Sequence, residues 1–373
     1  MPWTPAVRRS LIFLAATFCG VVFIALGQPG LPEYFSYDAR KIQAIAANEN
    51  YVINDQNFES VAHLYRILNL DNDAVVAGVT TFLIYCTVCF IVLSRTAPSA
   101  SPLYETAALL GTIFLGAVYL GQYTKDLLPA LTYLPLVLSR TNALRWRLVF
   151  VLSAVVYAAF FREYWFLVLM LTLALWAVNR TRARAGLSTM VILAFWVGLS
   201  LALPALVGVD IGHYREVANS DRLASADATT AIPSFVPGDG PVEGVANVLA
   251  SFVFLQVPVP LFLIGTVYHA TLAILIGSLW FGFWRALVRG SGQGAQALRL
   301  APIIVAFVAV QAVFEPDFGS ALRHLTPLIP AMLFVMSTAA PDSEVNHAGA
   351  GGIGHSGSLG AHRRRSSIRE RVG

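Results

Sequence analysis

The sequence predicts an all-α, polytopic transmembrane bundle of about ten spans, and three observations carry that expectation. First, 57% of the 373 residues are hydrophobic and only 12% are charged, with a mean hydropathy of +0.66. A water-soluble domain of this size carries about a quarter charged residues. Second, the apolar residues form continuous runs, which read as helices; a barrel would show short alternating strands. Third, the basic residues alternate between the runs. Seventeen of the 25 Lys and Arg fall on the side assigned to the cytoplasm and eight on the other. That bias places both chain ends in the cytoplasm of a cell whose inner (plasma) membrane the chain crosses repeatedly. It also makes the net charge of +4 a topology signal rather than a nucleic-acid patch.

The elements follow in order. Arg8 and Arg9 precede an apolar run, Leu11 to Leu26, read as an uncleaved first span. Residues 28–73 form a first external loop. In it Ile42, Ile45 and Ala46, then Val61, Leu64, Tyr65 and Leu68, recur at helical spacing and predict two amphipathic helices on the membrane surface. Spans are expected near 74–94 and 106–121, then a short run at 127–138; residues 122–140 also fit a re-entrant segment. Residues 148–178 are 31 positions broken only by Arg162-Glu163. Two helices of about 15 residues would reach only about 22 Å, short of a core of about 30 Å. Their joining turn is therefore expected below the external surface, with Arg162 at membrane depth. A span near 187–208 leads to a second external loop, 209–243. Residues 244–256 are a surface or re-entrant helix, and Pro258 and Pro260 mark a break. Spans near 259–283, 300–314 and 324–339 complete a membrane domain over 1–340. Residues 341–373 read as a disordered basic cytoplasmic tail.

The chemistry is expected on the external side. Arg162, Arg323 and Lys125 stand at helix ends that read as buried, and buried cations need partners or an anionic ligand. Asp126, Glu163, Glu315 and Asp317 are the candidate partners. The alternative is a cationic pocket for phosphate, a role that suits the planar fork of arginine. Beside Arg323, His324 is a candidate general base, since its pKa lies near neutrality; otherwise it is a hydrogen-bonded residue at a helix start. His213 with Arg215 is a weaker candidate pair. His269 reads as a mid-span packing residue. Asp38 is a carboxylate that activates a sugar hydroxyl or binds a metal, or else a helix cap, a role that also suits Ser36. No HExxH, GxSxG, Walker or Rossmann pattern occurs, and no metal or cofactor is expected. Cys86 and Cys89 fall inside a span and read as small packing residues.

With Tyr37-Asp38 after the first span, Lys125-Asp126, Arg162-Glu163-Tyr164 and Arg323-His324, the layout resembles the bacterial membrane glycan polymerases of the Wzy and EpsG-like families. The resemblance implies joining of oligosaccharide repeat units carried on undecaprenyl pyrophosphate, at the external face. By analogy with the related O-antigen ligases, Arg162, Arg215, Arg222 and Arg323 would hold phosphate, with Lys125 beside them, and His324 would act as base. The implied partners are a polyprenyl-linked glycan, membrane lipid and other polysaccharide-assembly proteins. A GT-C-like glycosyltransferase is similar in layout, with Asp38 as catalytic carboxylate. A third reading is a non-catalytic lipid-linked oligosaccharide flippase or a membrane scaffold.

Overall fold

Each long apolar run folds as a helix, and capping or proline residues set the ends. The computed structural model describes residues 4–47, 56–96, 102–139, 143–179, 184–223, 230–238, 240–289 and 296–337. Helix α1 spans Pro5–Val22 and continues through irregular turns to Gly30. Two short loop helices follow, α2 (Tyr37–Ala46) and α3 (Gln56–Ile67). The Asp73 carboxylate starts α4 (Ala74–Leu93) by accepting from Val75 N and Val76 N, at 2.8 and 3.1 Å. Next come α5 (Pro102–Tyr119), α6 (Leu128–Leu138), α7 (Ala143–Phe160), α8 (Trp165–Val178) and α9 (Arg184–Val207). The second loop carries α10 (His213–Leu223). Then follow α11 (Pro241–Gln256), α12 (Val259–Leu263), α13 (Val267–Arg289), α14 (Ala297–Phe314), α15 (Phe318–Leu325) and α16 (Ile329–Ser337).

Among the described residues, six helices are long and apolar enough to cross a membrane by length and composition. Four further apolar helices have only 10–17 residues. The expected ten spans therefore reduce to six by this measure. The outer faces are apolar too: Phe18, Leu206 and Phe281 are each more than two-thirds exposed. Such surfaces fit a hydrocarbon solvent, which marks a membrane protein. Helix α14 is the opposite case, with every residue from Arg299 to Val313 buried. It is the axis of the bundle. Trp176 of α8 and Trp196 of α9 donate their indole N–H to the carbonyls of Arg299 and Ala309 (2.9 and 3.0 Å).

Three expectations need correction. The span expected at 259–283 is broken: α12 ends at Leu263, Gly265 turns at φ +76°, and α13 begins only at Val267. A positive φ costs glycine nothing, so the break is local chemistry. His269 consequently lies in the first turn of α13, where its Nδ1 meets the Thr266 hydroxyl at 2.7 Å, rather than mid-span. The link before the last span is also shorter than expected. Asp317 caps α15 by accepting from Ser320 N at 2.7 Å, so Arg323 and His324 lie in the last helical turn and not at a helix start.

A one-turn break then follows, because Pro327 and Pro330 lack N–H groups. Tyr85 and Tyr133 reach in from α4 and α6 and donate to the carbonyls of Thr326 and Pro327 (3.0 and 2.9 Å).

The first loop carries two helices, as the apolar spacing led one to expect. Helices α2 and α3 pack against each other through Ile42, Ala46, Phe58, Val61 and Tyr65, and against Tyr123. Leu68 lies just past the end of α3 and is exposed. The basic tail lies outside the described residues, as does the side chain of Arg222.

Candidate functional site: a buried ion network beneath the first loop

Five chain segments deliver charges to one place. Helix α2 of the first loop carries Asp38. The turn 161–164, between α7 and α8, carries Arg162. The turn after α5 carries Lys125 and Asp126. Glu315 follows the end of α14, and Arg323 and His324 end α15. The joint at 161–164 follows from the short helices: α8, at 14 residues, is about 21 Å long. Phe161 N and Arg162 N both donate to the Tyr157 carbonyl (3.0 and 3.1 Å), which closes α7 and turns the arginine inward.

Asp126 is the hub. Its Oδ1 accepts from the Arg162 guanidinium at 2.7 Å, and its Oδ2 lies 3.3 Å from Arg323 Nε. Arg323 also pairs with Asp38 of α2 at 2.8 Å. His324 bridges the other side. Its Nδ1 lies 3.0 Å from Glu315 Oε2, and its Nε2 lies 2.7 Å from an Arg162 nitrogen. These partners settle the tautomer. An ionised carboxylate can only accept and a guanidinium can only donate, so Nδ1 carries the proton and Nε2 presents its lone pair. Lys125 sits 4.1 Å from the centre of the Phe58 ring of α3. Tyr65 of α3 holds this turn by accepting from Thr124 N (2.9 Å) and donating to Thr124 O (3.1 Å).

The charges balance: Lys125, Arg162 and Arg323 face Asp38, Asp126 and Glu315, with His324 neutral. Burial opposes the charge on Asp126, but the cations Arg162, Arg323 and Lys125 outweigh it and hold the carboxyl well below its usual range. Burial likewise opposes the charge on Asp38, yet Arg323, Lys125 and Arg162 lower its pKa. Glu315 is also lowered, chiefly by His324, against burial. Depressed carboxylates add stability that is complete above their unfolded pKa and is lost as pH falls through the folded values. Unfolded carboxylates titrate near pH 4. A histidine kept neutral in the fold also loses stability once its unfolded form takes up a proton, at about pH 6.5. Thermal stability in detergent is therefore expected to fall gently below about pH 6.5 and more steeply below about 4. A level profile down to about pH 5 would contradict a neutral His324.

The sequence-predicted residues divide accordingly. Arg162, Arg323, His324, Asp38 and Lys125 come together around Asp126. Arg215 has other contacts: it is buried and donates to Ser251 Oγ (2.6 Å) and to the Ala312 carbonyl. The backbone of Arg222 is in α10. Asp38 is not a side-chain cap of α2; it points to Arg323. Glu163 is exposed, and Asp317 caps α15. Asp126 and Glu315 were legible only as charge partners, although the structure makes them the hub and the histidine's orienting group. The signal for both was an acidic residue at the end of an apolar run, and for Asp126 the adjacent Lys125 as well.

No protein-family model, curated protein or solved structure matches the chain. Among the described residues, no group of three or more His, Cys, Asp or Glu is placed to hold a metal ion.

Proposed function

We propose that the chain is an inner-membrane enzyme of cell-surface polysaccharide assembly, transferring a glycan from a polyprenyl-pyrophosphate carrier to a sugar hydroxyl at the external face. The observation that carries this reading is the Glu315–His324 pair set against Arg162 and Arg323. It offers an oriented base beside two arginines on one hub.

In this reading the donor phosphate binds Arg323 by displacing Asp38. Asp38 is the carboxylate best suited to leave, with its side chain 30% exposed against 5% for Asp126 and 6% for Glu315. Phosphate also draws Arg162 away from His324, which frees the Nε2 lone pair. The acceptor hydroxyl gives its proton to Nε2 while its oxygen bonds to the anomeric carbon. The bond from that carbon to the phosphate oxygen breaks, and the carrier departs as the arginine-bound pyrophosphate. Since the leaving group is already activated, catalysis needs positioning, charge stabilisation and one base. The reading keeps the two termini in the cytoplasm and counts the short helices α5, α6, α8 and α11 as membrane-embedded.

One observation favours the GT-C-like alternative. Asp38 lies inside the cluster, close enough to Asp126 for the two carboxylates to repel. In that case Asp38 takes the proton and the donor is a polyprenyl-phosphate sugar. Asp38→Asn then abolishes transfer and His324→Asn spares it; the primary reading expects the reverse order of severity.

The test of the phosphate site is complementation. Deleting the gene should abolish long-chain surface polysaccharide. The wild-type gene should restore it, and Arg323→Ala should not, at equal protein abundance in the membrane. Full rescue by Arg323→Ala removes Arg323 from the mechanism.

A further inference from the structure

The backbone on both sides of Glu315 is hydrogen-bonded to groups that lie outside the charged cluster. Glu315 sits in the three-residue link between α14 and α15, held from both sides by the second loop. Upstream, Arg215 of α10 reaches the C-terminal end of α14. One terminal nitrogen donates to the Ala312 carbonyl and lies 3.4 Å from the Val313 carbonyl. The other donates to Ser251 Oγ of α11 at 2.6 Å. A cation at this end of a helix satisfies carbonyls that have no intrahelical partner and complements the helix dipole.

Downstream, Ile232 N donates to the Pro316 carbonyl (2.8 Å), and Phe318 N donates to the Thr230 carbonyl (3.0 Å). Ala231 and Asp317 thereby form an antiparallel bridge. Asn219 of α10 closes the frame by donating to the Ile232 carbonyl at 3.1 Å.

We infer that α10 and residues 230–232 form a clamp that positions Glu315, with Arg215 as its principal positioning residue, so that His324 is kept in the Nδ1–H tautomer. Arg215 is only 4% exposed, and its hydrogen-bond acceptors are a hydroxyl and carbonyls rather than a carboxylate. Burying a guanidinium against neutral groups is costly. What it supports is the backbone one turn before Glu315. Burial pushes the guanidinium down to about 10, partly offset by Glu315 and Glu216, so it stays charged at neutral pH. This departs from the phosphate-binding role that the family resemblance implies for Arg215. The catalytic meaning of the clamp rests on His324 being the base; the clamp itself does not.

The test is ring-nitrogen NMR of isotopically labelled histidine in the purified full chain in nanodiscs. His324→Asn identifies the His324 signals among the seven histidines. The wild type should show His324 as a single Nδ1–H tautomer. Arg215→Met should convert it to a mixture of tautomers, and Arg215→Lys should restore the wild-type signals in part. Asn219→Leu loosens the same frame from its other side and should shift the signals in the same direction, which keeps the inference testable if Arg215→Met does not fold. Unchanged His324 signals in both folded variants overturn the clamp. A tautomer mixture in Arg215→Met, together with undiminished polysaccharide in His324→Asn, leaves the clamp standing and overturns the proposed base. On polyprenyl-pyrophosphate glycan, positioning predicts a lower kcat at unchanged KM. A raised KM at unchanged kcat restores Arg215 to phosphate binding and overturns the inference.

Discussion

His324→Asn is expected to lower glycan transfer by about 10²- to 10⁴-fold, the usual contribution of a general base. The substitution is chosen for what it keeps. The asparagine amide N–H₂ can donate to Glu315 from near the place of Nδ1, so the buried carboxylate retains a partner. What disappears is the lone pair at Nε2, now 2.7 Å from Arg162. A histidine with a purely structural role would be replaced here with little change in transfer. The measurement is polysaccharide chain length, or single-turnover transfer in membranes, normalised to folded protein. Transfer within a few-fold of wild type would exclude His324 as the base.

Asp126→Ala should instead unfold the site. It leaves two arginines in a region where the Arg162 side chain is 12% exposed and that of Arg323 is 16% exposed. Removing one partner of a buried ion pair costs about 3–5 kcal/mol, because the remaining charge has been taken out of water without compensation. Here two charges lose the same partner. Asp38→Ala should cost far less, at most about 1 kcal/mol, since its carboxylate is partly solvated and belongs to a loop helix rather than to the bundle. Thermal unfolding in nanodiscs gives the comparison. Equal losses for the two variants would contradict the assignment of Asp126 as the hub.

The contrast between these variants separates two roles within one cluster. His324 is held for its free nitrogen, whereas Asp126 is held for the charges it joins. Both depend on the same break in the last helical segment. Pro327 and Pro330 interrupt the hydrogen-bond ladder directly after α15, and Tyr85 and Tyr133 satisfy two carbonyls there. The charged end of α15 is thereby fixed against α4 and α6 as well as against α14.

Much of this was visible in the sequence. Apolar runs dictate helices because a backbone without water must bond to itself. The Arg162-Glu163 interruption dictated a joint between two short helices, and the turn at 161–164 lies there. The cations at helix ends were identifiable because an arginine among apolar residues demands a partner. The boundaries that failed did so for local reasons: Gly265 admits a positive φ, and Asp317 starts a helix where the charge pattern suggested a loop. What no periodicity could provide was the pairing. Asp38 and Arg323 are far apart in sequence, as are Asp126 and Arg162, and charge types alone leave every combination open. Only the tertiary packing of the bundle and of the first loop brings the five segments together. It also sends Arg215 to the carbonyls of Ala312 and Val313 instead of toward the other arginines. By itself, then, the sequence determined a membrane helical bundle with unusual charges at its turns, because hydrophobic length and solvation act locally. The tertiary structure decided which charges meet, because the orientation of a buried ion depends on every helix that excludes water from it.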